Sequence, residues 1–199
     1  MVVHKKYILA SSSRSRSRIL KNSGFVFKQV NPTCSEENIK KQILKLTKKP
    51  SLVAKKLSYE KAMSISKKQK YSNYYVIGCD TLIYLNNKIF DKAQNIEEAK
   101  KKLKQLSGKK HFIVSGLTLC RNGNQIFQFS STTNVKIRKL TTFEISKYLK
   151  ITGKQILNSV GCYQVESFGP KIIEDIKGDF FNVMGLPLFK LLKKISTEL

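Results

Sequence analysis

The hydrophobic positions at the start of the chain form short runs that predict a strand, a helix and a second strand. Tyr7–Ala10 is a continuous apolar run and predicts a buried strand. Three serines follow it, and serine is a favoured residue at the start of a helix, which here is predicted over Arg14–Asn22. Apolar and polar residues then alternate over Phe25–Val30, the pattern of a half-buried strand.

Strands and helices continue to alternate through the rest of the chain. Two helices are predicted to open at Ser35 and Pro50, and a strand over Tyr74–Ile77 is predicted to end at residues 78–81. Strands are expected at residues 82–85 and 88–90 around an Asn-Asn turn, at 111–120 and 125–138 around an Asn-Gly turn, and at 171–176. Helices are expected at residues 95–106, 141–150 and from Pro187 onward. We therefore expect a mixed α/β fold, with two lobes and a cleft, in which residues 1–199 form one domain.

Composition narrows the class of protein. Hydrophobic residues make up 41% of the 199 residues, which is enough for a packed core and argues against disorder. No apolar run approaches the ~18 residues of a membrane helix, and the first apolar run is too short for a signal peptide. Four isolated cysteines and two histidines, His4 and His111, suggest neither a zinc site nor a disulfide framework. We expect a cytoplasmic protein.

The formal net charge is +25, and 33 of the 38 basic residues are lysines spread over the whole chain. One interpretation is a surface that attracts nucleic acid or nucleotides. The other is a compositional bias that fills exposed positions with lysine. Both leave a surface that attracts an anionic substrate.

The most suggestive local pattern is the segment Leu9–Arg16, which contains Ser11, Ser13 and Arg16 at a strand-to-helix turn. Backbone N–H groups at a helix start, hydroxyls and a guanidinium can together bind phosphate. The alternative is an ordinary helix cap with surface arginines.

Carboxylates and lysines supply further candidates. Asp80 is predicted to follow a buried strand, where it could hold a metal or activate water, or could merely close a turn. Lys92 follows the hairpin, although a single lysine means little in this chain. His111 is expected to be a strand or turn residue rather than a general base, and Gly185–Leu188 is expected to be structural.

Taken together, these segments resemble the Maf family of nucleotide pyrophosphatases over almost the whole chain. The matching segments, in order, are Leu9–Arg16, Ser35–Glu36, Glu60–Ala62, Gly78–Thr81, Asp91–Ala93, Ser107–His111, Gly161–Tyr163 and Gly178–Leu188. No single segment is decisive, but eight in this order are specific. The resemblance implies a Maf/inosine triphosphatase-like fold, with a mixed central sheet flanked by helices.

The resemblance also implies roles for individual residues. Asp80 would accept the proton of the attacking water, and Glu36 and Asp80 would hold a divalent cation, Mg²⁺ or Mn²⁺. The triphosphate would be bound by Ser11, Ser13, Arg16 and Lys61, and Lys92 would help to neutralise the departing pyrophosphate. A homodimer is expected, and neither a membrane nor nucleic acid is expected as a partner.

Three further positions bear on the choice of base within the resemblance. Ser15 stands where the dTTP/UTP branch has a second Arg, and Thr81 agrees with that branch. Glu166 agrees instead with the branch that acts on 7-methyl-GTP, and it could also bind a metal.

The implied function is metal-dependent hydrolysis of a nucleoside triphosphate to the monophosphate and pyrophosphate, which would remove unwanted nucleotides from the pool. The substrate could be dTTP, UTP or a modified nucleotide such as 7-methyl-GTP. Two alternatives stay open: a non-catalytic protein that binds nucleotides or nucleic acid, and a related hydrolase with an inosine-type preference.

Overall fold

A computed structural model describes residues 5–198, so His4 lies outside the described residues. The strands are β1 Tyr7–Ala10, β2 Phe27–Val30, β3 Tyr75–Leu85, β4 Lys88–Phe90, β5 Lys110–Arg121, β6 Asn124–Ile137 and β7 Ile173–Lys177. The α-helices are α1 Arg14–Asn22, α2 Glu36–Leu46, α3 Pro50–Ser66, α4 Ile96–Leu106, α5 Thr142–Thr152, α6 Phe180–Val183 and α7 Leu188–Glu198.

Local sequence signals placed most of these elements correctly. Helix α1 has the predicted bounds, and the side chain of Ser13 caps it by accepting from the Arg16 N–H. The Asn86–Asn87 turn has positive φ at both residues, as a tight hairpin requires. The short helix α6 was not predicted, and the side chain of Asp179 caps it.

The strands form one seven-stranded sheet in the order β2-β1-β3-β5-β6-β7, with β4 paired to β3. Strands β2, β1 and β3 are parallel, whereas β4 and β7 pair antiparallel with their neighbours. The expected mixed α/β class is therefore confirmed.

The prediction that a strand ends at Gly78–Thr81 was wrong, because β3 runs without interruption from Tyr75 to Leu85. Gly78 is needed for packing rather than for a turn: a Cβ there would lie 2.2 Å from the carbonyl oxygen of Ser58 in α3. Asp80 nevertheless lies past the carboxyl end of β1, since the last residue of β1, Ala10, pairs with Gly78.

The chain divides into two compact units. The first unit contains residues 5–81, 115–131 and 185–198, and the second contains residues 82–114 and 132–184. In the first unit, a buried cluster that includes Ile8, Ala62 and Val76 joins α3 to the parallel strands. The larger buried cluster of the second unit joins α4 and α5 to its strands and includes Leu103, Ile137 and Leu149.

His111 is a core residue of the second unit. It is fully buried, and its Nε2 lies 2.6 Å from the hydroxyl oxygen of Tyr163. Burial lowers the pKa of His111 from its ordinary 6.5 to about 4, which keeps the ring neutral. The expectation that His111 is a strand or turn residue is confirmed, because it lies in β5. The cysteines are free, and Cys79, Cys120 and Cys162 are buried, in keeping with a packing role.

Among residues 5–198, no helix combines the length and the apolar character needed to cross a membrane.

Gly116 should be essential for stability because α3 packs directly against it. A Cβ at this position would lie 2.2 Å from the Ala54 carbonyl oxygen, so Gly116→Ala should lower the free energy of unfolding by about 3 kcal/mol. Gly24→Ala is the control: a Cβ there would meet open space, so only the φ of +78° should matter, at a cost of about 1 kcal/mol of backbone strain. Urea denaturation measures both, and equal losses would contradict the packing argument.

His111 should make stability depend on pH. Its folded pKa of about 4 lies below the unfolded value of 6.5, so its contribution is present above pH 6.5 and is lost as the pH falls to 4. The loss should reach about 3 kcal/mol of unfolding free energy. Gln does not titrate in this range, so the stability of His111→Gln should lack this loss. Urea denaturation across this pH range provides the measurement, and parallel curves for the two proteins would refute the assignment.

Candidate active site

The first part of the candidate site is the turn between β1 and α1. The Ser13 hydroxyl accepts from the Arg16 N–H at 3.3 Å, and the Ser11 hydroxyl accepts from the Ser13 N–H at 3.2 Å. Gln29 fixes the same turn by donating from Nε2 to the Ser11 carbonyl oxygen at 2.7 Å. Because both hydroxyl oxygens act as acceptors here, each O–H remains able to donate to an oxyanion.

Arg16 is buried in the first unit, and three of its nitrogens donate to neutral oxygens. Nε donates to the Gly185 carbonyl oxygen at 2.8 Å, Nη1 to the Ser11 hydroxyl at 3.1 Å, and Nη2 to the Thr81 hydroxyl at 3.0 Å. A guanidinium has five N–H donors, so two are left for a ligand. None of the ion pairs formed by residues 5–198 involves Arg16, so its charge is available to an anion.

Thr81 connects the end of this turn to Ser115, which the sequence did not single out, and to Gly185. Its hydroxyl accepts from Arg16, lies 2.9 Å from the Ser115 hydroxyl and donates to the Gly185 carbonyl oxygen at 3.2 Å. If Ser115 is the donor of its pair, the Thr81 hydroxyl has no hydrogen bond left. In the described contacts Thr81 therefore holds Arg16 in place.

The second part of the candidate site is a buried ammonium between two carboxylates. Lys61 Nζ on α3 lies 2.7 Å from Asp80 Oδ1 on β3 and 2.7 Å from Glu36 Oε2 on α2. Lys61 and Asp80 are buried, while half of the Glu36 side chain is exposed. Burial alone would lower the pKa of Lys61, but the Asp80 and Glu36 carboxylates outweigh both burial and the charge of Arg16, so the pKa is raised and the ammonium stays protonated.

Glu36 and Asp80 form a donor set that suits a hard divalent cation. Their carboxylate oxygens already converge on one positive charge, and Mg²⁺ prefers oxygen ligands. No group of three His, Cys, Asp or Glu side chains is arranged to bind a metal in the described part of the chain. A cation here would need phosphate oxygens or water to complete its shell, which is common for Mg²⁺.

The structure brings most of the predicted site residues into the first unit: Ser11, Ser13, Ser15, Arg16, Glu36, Lys61, Asp80 and Thr81. Ser15 lies half-buried in the first turn of α1. Lys92 and Glu166 belong to the second unit, where Lys92 is exposed and Glu166 is half-buried. The residue after Lys92, Ala93, is buried in the core of that unit.

Sequence reasoning missed the roles of Gln29 and Ser115, and it expected Gly185 to be structural without predicting its hydrogen bonds. The Gly185 carbonyl oxygen accepts from Arg16, from Thr81 and from the Cys79 thiol at 3.2 Å. Its φ of 101° lies in the region that favours glycine, and the sequence signal for it was the glycine before Leu186-Pro187. Gln29 and Ser115 carried no signal, because an isolated polar residue in a strand has no distinctive pattern.

Known proteins similar to this chain match nearly all of its length. A 7-methyl-GTP pyrophosphatase of Brucella abortus is 35% identical over 97% of this chain and 96% of its own. A nucleoside triphosphate pyrophosphatase of Caulobacter vibrioides is 34% identical over 92% of this chain and 91% of its own.

Among solved structures, a nucleoside-triphosphatase / dITP/XTP pyrophosphatase of Mycobacterium abscessus matches at 15% identity with a TM-score of 0.38, over 68% of this chain and 75% of its own. That score is too low to support a conclusion. The Maf family, described as Maf-like protein, matches residues 6–198. With relatives above 30% identity covering nearly all of the chain, the protein belongs to the Maf family.

Proposed function

We propose that this protein hydrolyses a nucleoside triphosphate to the monophosphate and pyrophosphate, with a divalent cation, and so removes unwanted nucleotides from the pool. The observation that carries the proposal is the arrangement of Glu36, Lys61 and Asp80 in the same compact unit as Arg16. A protein that only binds polyanions has no use for two carboxylates there, because they repel phosphate. The names of the relatives point to the same reaction.

In the proposed reaction, Asp80 accepts a proton from the attacking water. The water oxygen bonds to the α-phosphorus, the bond from that phosphorus to the bridging oxygen of the β-phosphate breaks, and pyrophosphate leaves. Lys61 orients the Asp80 carboxylate, to which it donates at 2.7 Å, and it offsets negative charge on the phosphates.

The triphosphate is bound by the turn before α1. Ser11 and Ser13 donate their hydroxyl hydrogens, and Arg16 donates its two remaining N–H groups. Lys92 is proposed to offset charge on the departing pyrophosphate. The N-terminal end of α1 adds backbone dipoles that favour an anion.

Mg²⁺ or Mn²⁺, held by Glu36 and Asp80, would supply electrostatic stabilisation of the phosphate oxygens. The same two carboxylates contact the Lys61 ammonium, with one oxygen of each at 2.7 Å from Nζ. A homodimer stays a prediction of the family resemblance, and a cytoplasmic location stays a prediction from the composition of the chain.

Two groups of nucleotides are candidates for the preferred substrate. Glu166 and the name of the Brucella relative point to 7-methyl-GTP, whereas Thr81 points to dTTP and UTP. The Thr81 hydroxyl already contacts Arg16, Ser115 and Gly185, which argues against direct recognition of a base by Thr81.

Pyrophosphate release from a panel of dTTP, UTP, 7-methyl-GTP and dITP tests the reaction and the base together. We expect turnover with Mg²⁺ or Mn²⁺ and its loss on chelation by EDTA. Preference for 7-methyl-GTP would mean that Glu166 indicates the branch correctly. Preference for dTTP and UTP would mean that Thr81 does. No turnover of any nucleotide by folded, metal-supplemented protein would refute the proposed function.

Asp80→Asn should separate chemistry from binding. The amide keeps an acceptor for Lys61 but cannot take a proton, so turnover should fall about 10²- to 10⁴-fold while nucleotide binding, measured by calorimetry, survives. The control is Asp175→Asn, an exposed carboxylate on β7, which should leave turnover unchanged. Unchanged turnover in Asp80→Asn would remove Asp80 from the mechanism.

A further inference from the structure

The first unit also has an open groove at the amino ends of its parallel strands. The groove has a volume of about 800 Å³, and its lining includes the cations Lys5, Lys6 and Lys28 and the apolar side chains Phe25, Val26 and Tyr74. Val26 is 86% exposed. A groove of this size can accommodate a nucleotide-sized group.

Aromatic rings continue from this groove across the ends of the strands. Strand pairing places Phe27, Tyr7 and Tyr75 side by side, so the three lie on one face of the sheet. The Tyr7 ring centroid lies 5.2 Å from that of Phe25 and 5.7 Å from that of Tyr75. These rings form a connected row rather than isolated surface aromatics.

Cations lie beside two of the partly buried rings. Lys28 Nζ lies 5.2 Å from the centroid of Tyr74, and the Arg121 guanidinium carbon lies 4.8 Å from that of Tyr75. Each pair places a positive charge within reach of the nucleotide whose base would lie on the ring.

The segments that build this surface contain no carboxylate. Residues 5–35, 71–79 and 115–131, which include the groove lining and Arg121, contain no Asp or Glu. The surface is therefore complementary to a polyanion, and its partly exposed rings favour one that carries flat apolar groups.

We propose that this groove binds single-stranded nucleic acid, with bases on the rings of Phe25 and Tyr74 and with phosphates beside Lys5, Lys6 and Lys28. Single strands fit better than a duplex, because only unpaired bases can stack on aromatic side chains. A polyanion without bases would use the lysines but not the rings. The interaction is separate from the proposed hydrolysis and does not depend on it.

The groove and the candidate active site lie at opposite ends of the same strand. Lys5, Lys6 and Tyr7 are at the amino end of β1, and Ser11 follows its carboxyl end. Substitutions in the groove should therefore alter nucleic-acid binding and leave pyrophosphate release unchanged.

Fluorescence anisotropy of a fluorescein-labelled 12-nucleotide oligo(dT), titrated with the full chain at several salt concentrations, tests the proposal. Tyr74→Ala should weaken binding about 5- to 100-fold, the effect of losing one stacked base. The triple variant K5Q/K6Q/K28Q should lower the slope of log affinity against log salt by about 2, since each single-strand phosphate contact contributes about 0.7.

The controls match each variant in chemistry but lie in the second unit. K147Q/K150Q/K154Q removes the same charge from exposed lysines, and Phe143→Ala removes an aromatic that is 75% exposed. Both should leave the affinity and the salt slope nearly unchanged, and saturating UTP should not displace the oligonucleotide. Thermal melting confirms that every variant is folded.

Three outcomes would overturn the proposal. Equal losses in the groove and control triples would mean that binding follows net charge alone. A duplex of the same length that binds as tightly as oligo(dT) would remove the role of the rings. Phosphatidylserine vesicles that respond to the groove variants, while oligo(dT) does not, would assign the surface to a membrane instead.

Discussion

The buried ammonium of Lys61 is the constraint on which the candidate site depends. A charge removed from water must be paired, and here Asp80 and Glu36 provide the pairing at 2.7 Å each. The three residues come from α3, β3 and α2, so one charge fixes the mutual placement of three elements. Gly78 makes this possible: without a Cβ, it lets the backbone of α3 at Ser58 and Ala62 approach β3 directly beside Lys61 and Asp80.

Arg16 is also buried, but unlike Lys61 it is not paired with a carboxylate in the described structure. Its guanidinium is satisfied by hydroxyl and carbonyl oxygens, so it is hydrogen-bonded but not neutralised. A buried positive charge of this kind is stabilised when an anion arrives, and phosphate is the anion that suits both the guanidinium and the helix N-terminus. Ser115 and Thr81, which contact no carboxylate in the described structure, contribute by fixing where that charge lies.

Charge is distributed unevenly along this very basic chain. The carboxylates Glu36 and Asp80 stand at the candidate site, whereas the segments around the aromatic groove have none. The same net charge of +25 therefore produces two kinds of surface. At the candidate site, carboxylates partly neutralise the cations and could hold a metal and accept a proton. At the aromatic groove, cations lie beside aromatic rings.

The amino-acid sequence by itself determined the local elements and the order of the motifs. Arg14–Asn22, the Asn86–Asn87 turn and the capping box of Thr141 with Glu144 depend on neighbours a few residues apart, so their signals are readable in the chain. Ser11, Arg16 and Asp80 were candidates from their local patterns, and Glu36 and Lys61 were identified by the family resemblance. The structure places all five in one compact unit.

Only the tertiary structure decided how those residues meet. The continuity of β3 through Asp80, the three-way contact at Lys61, and the acceptors of Arg16 at Gly185 and Thr81 join residues between 19 and 169 positions apart. Such contacts depend on which elements pack together, and no local pattern encodes that packing. The sequence therefore supplied the chemical groups, and the fold decided which of them share one charge.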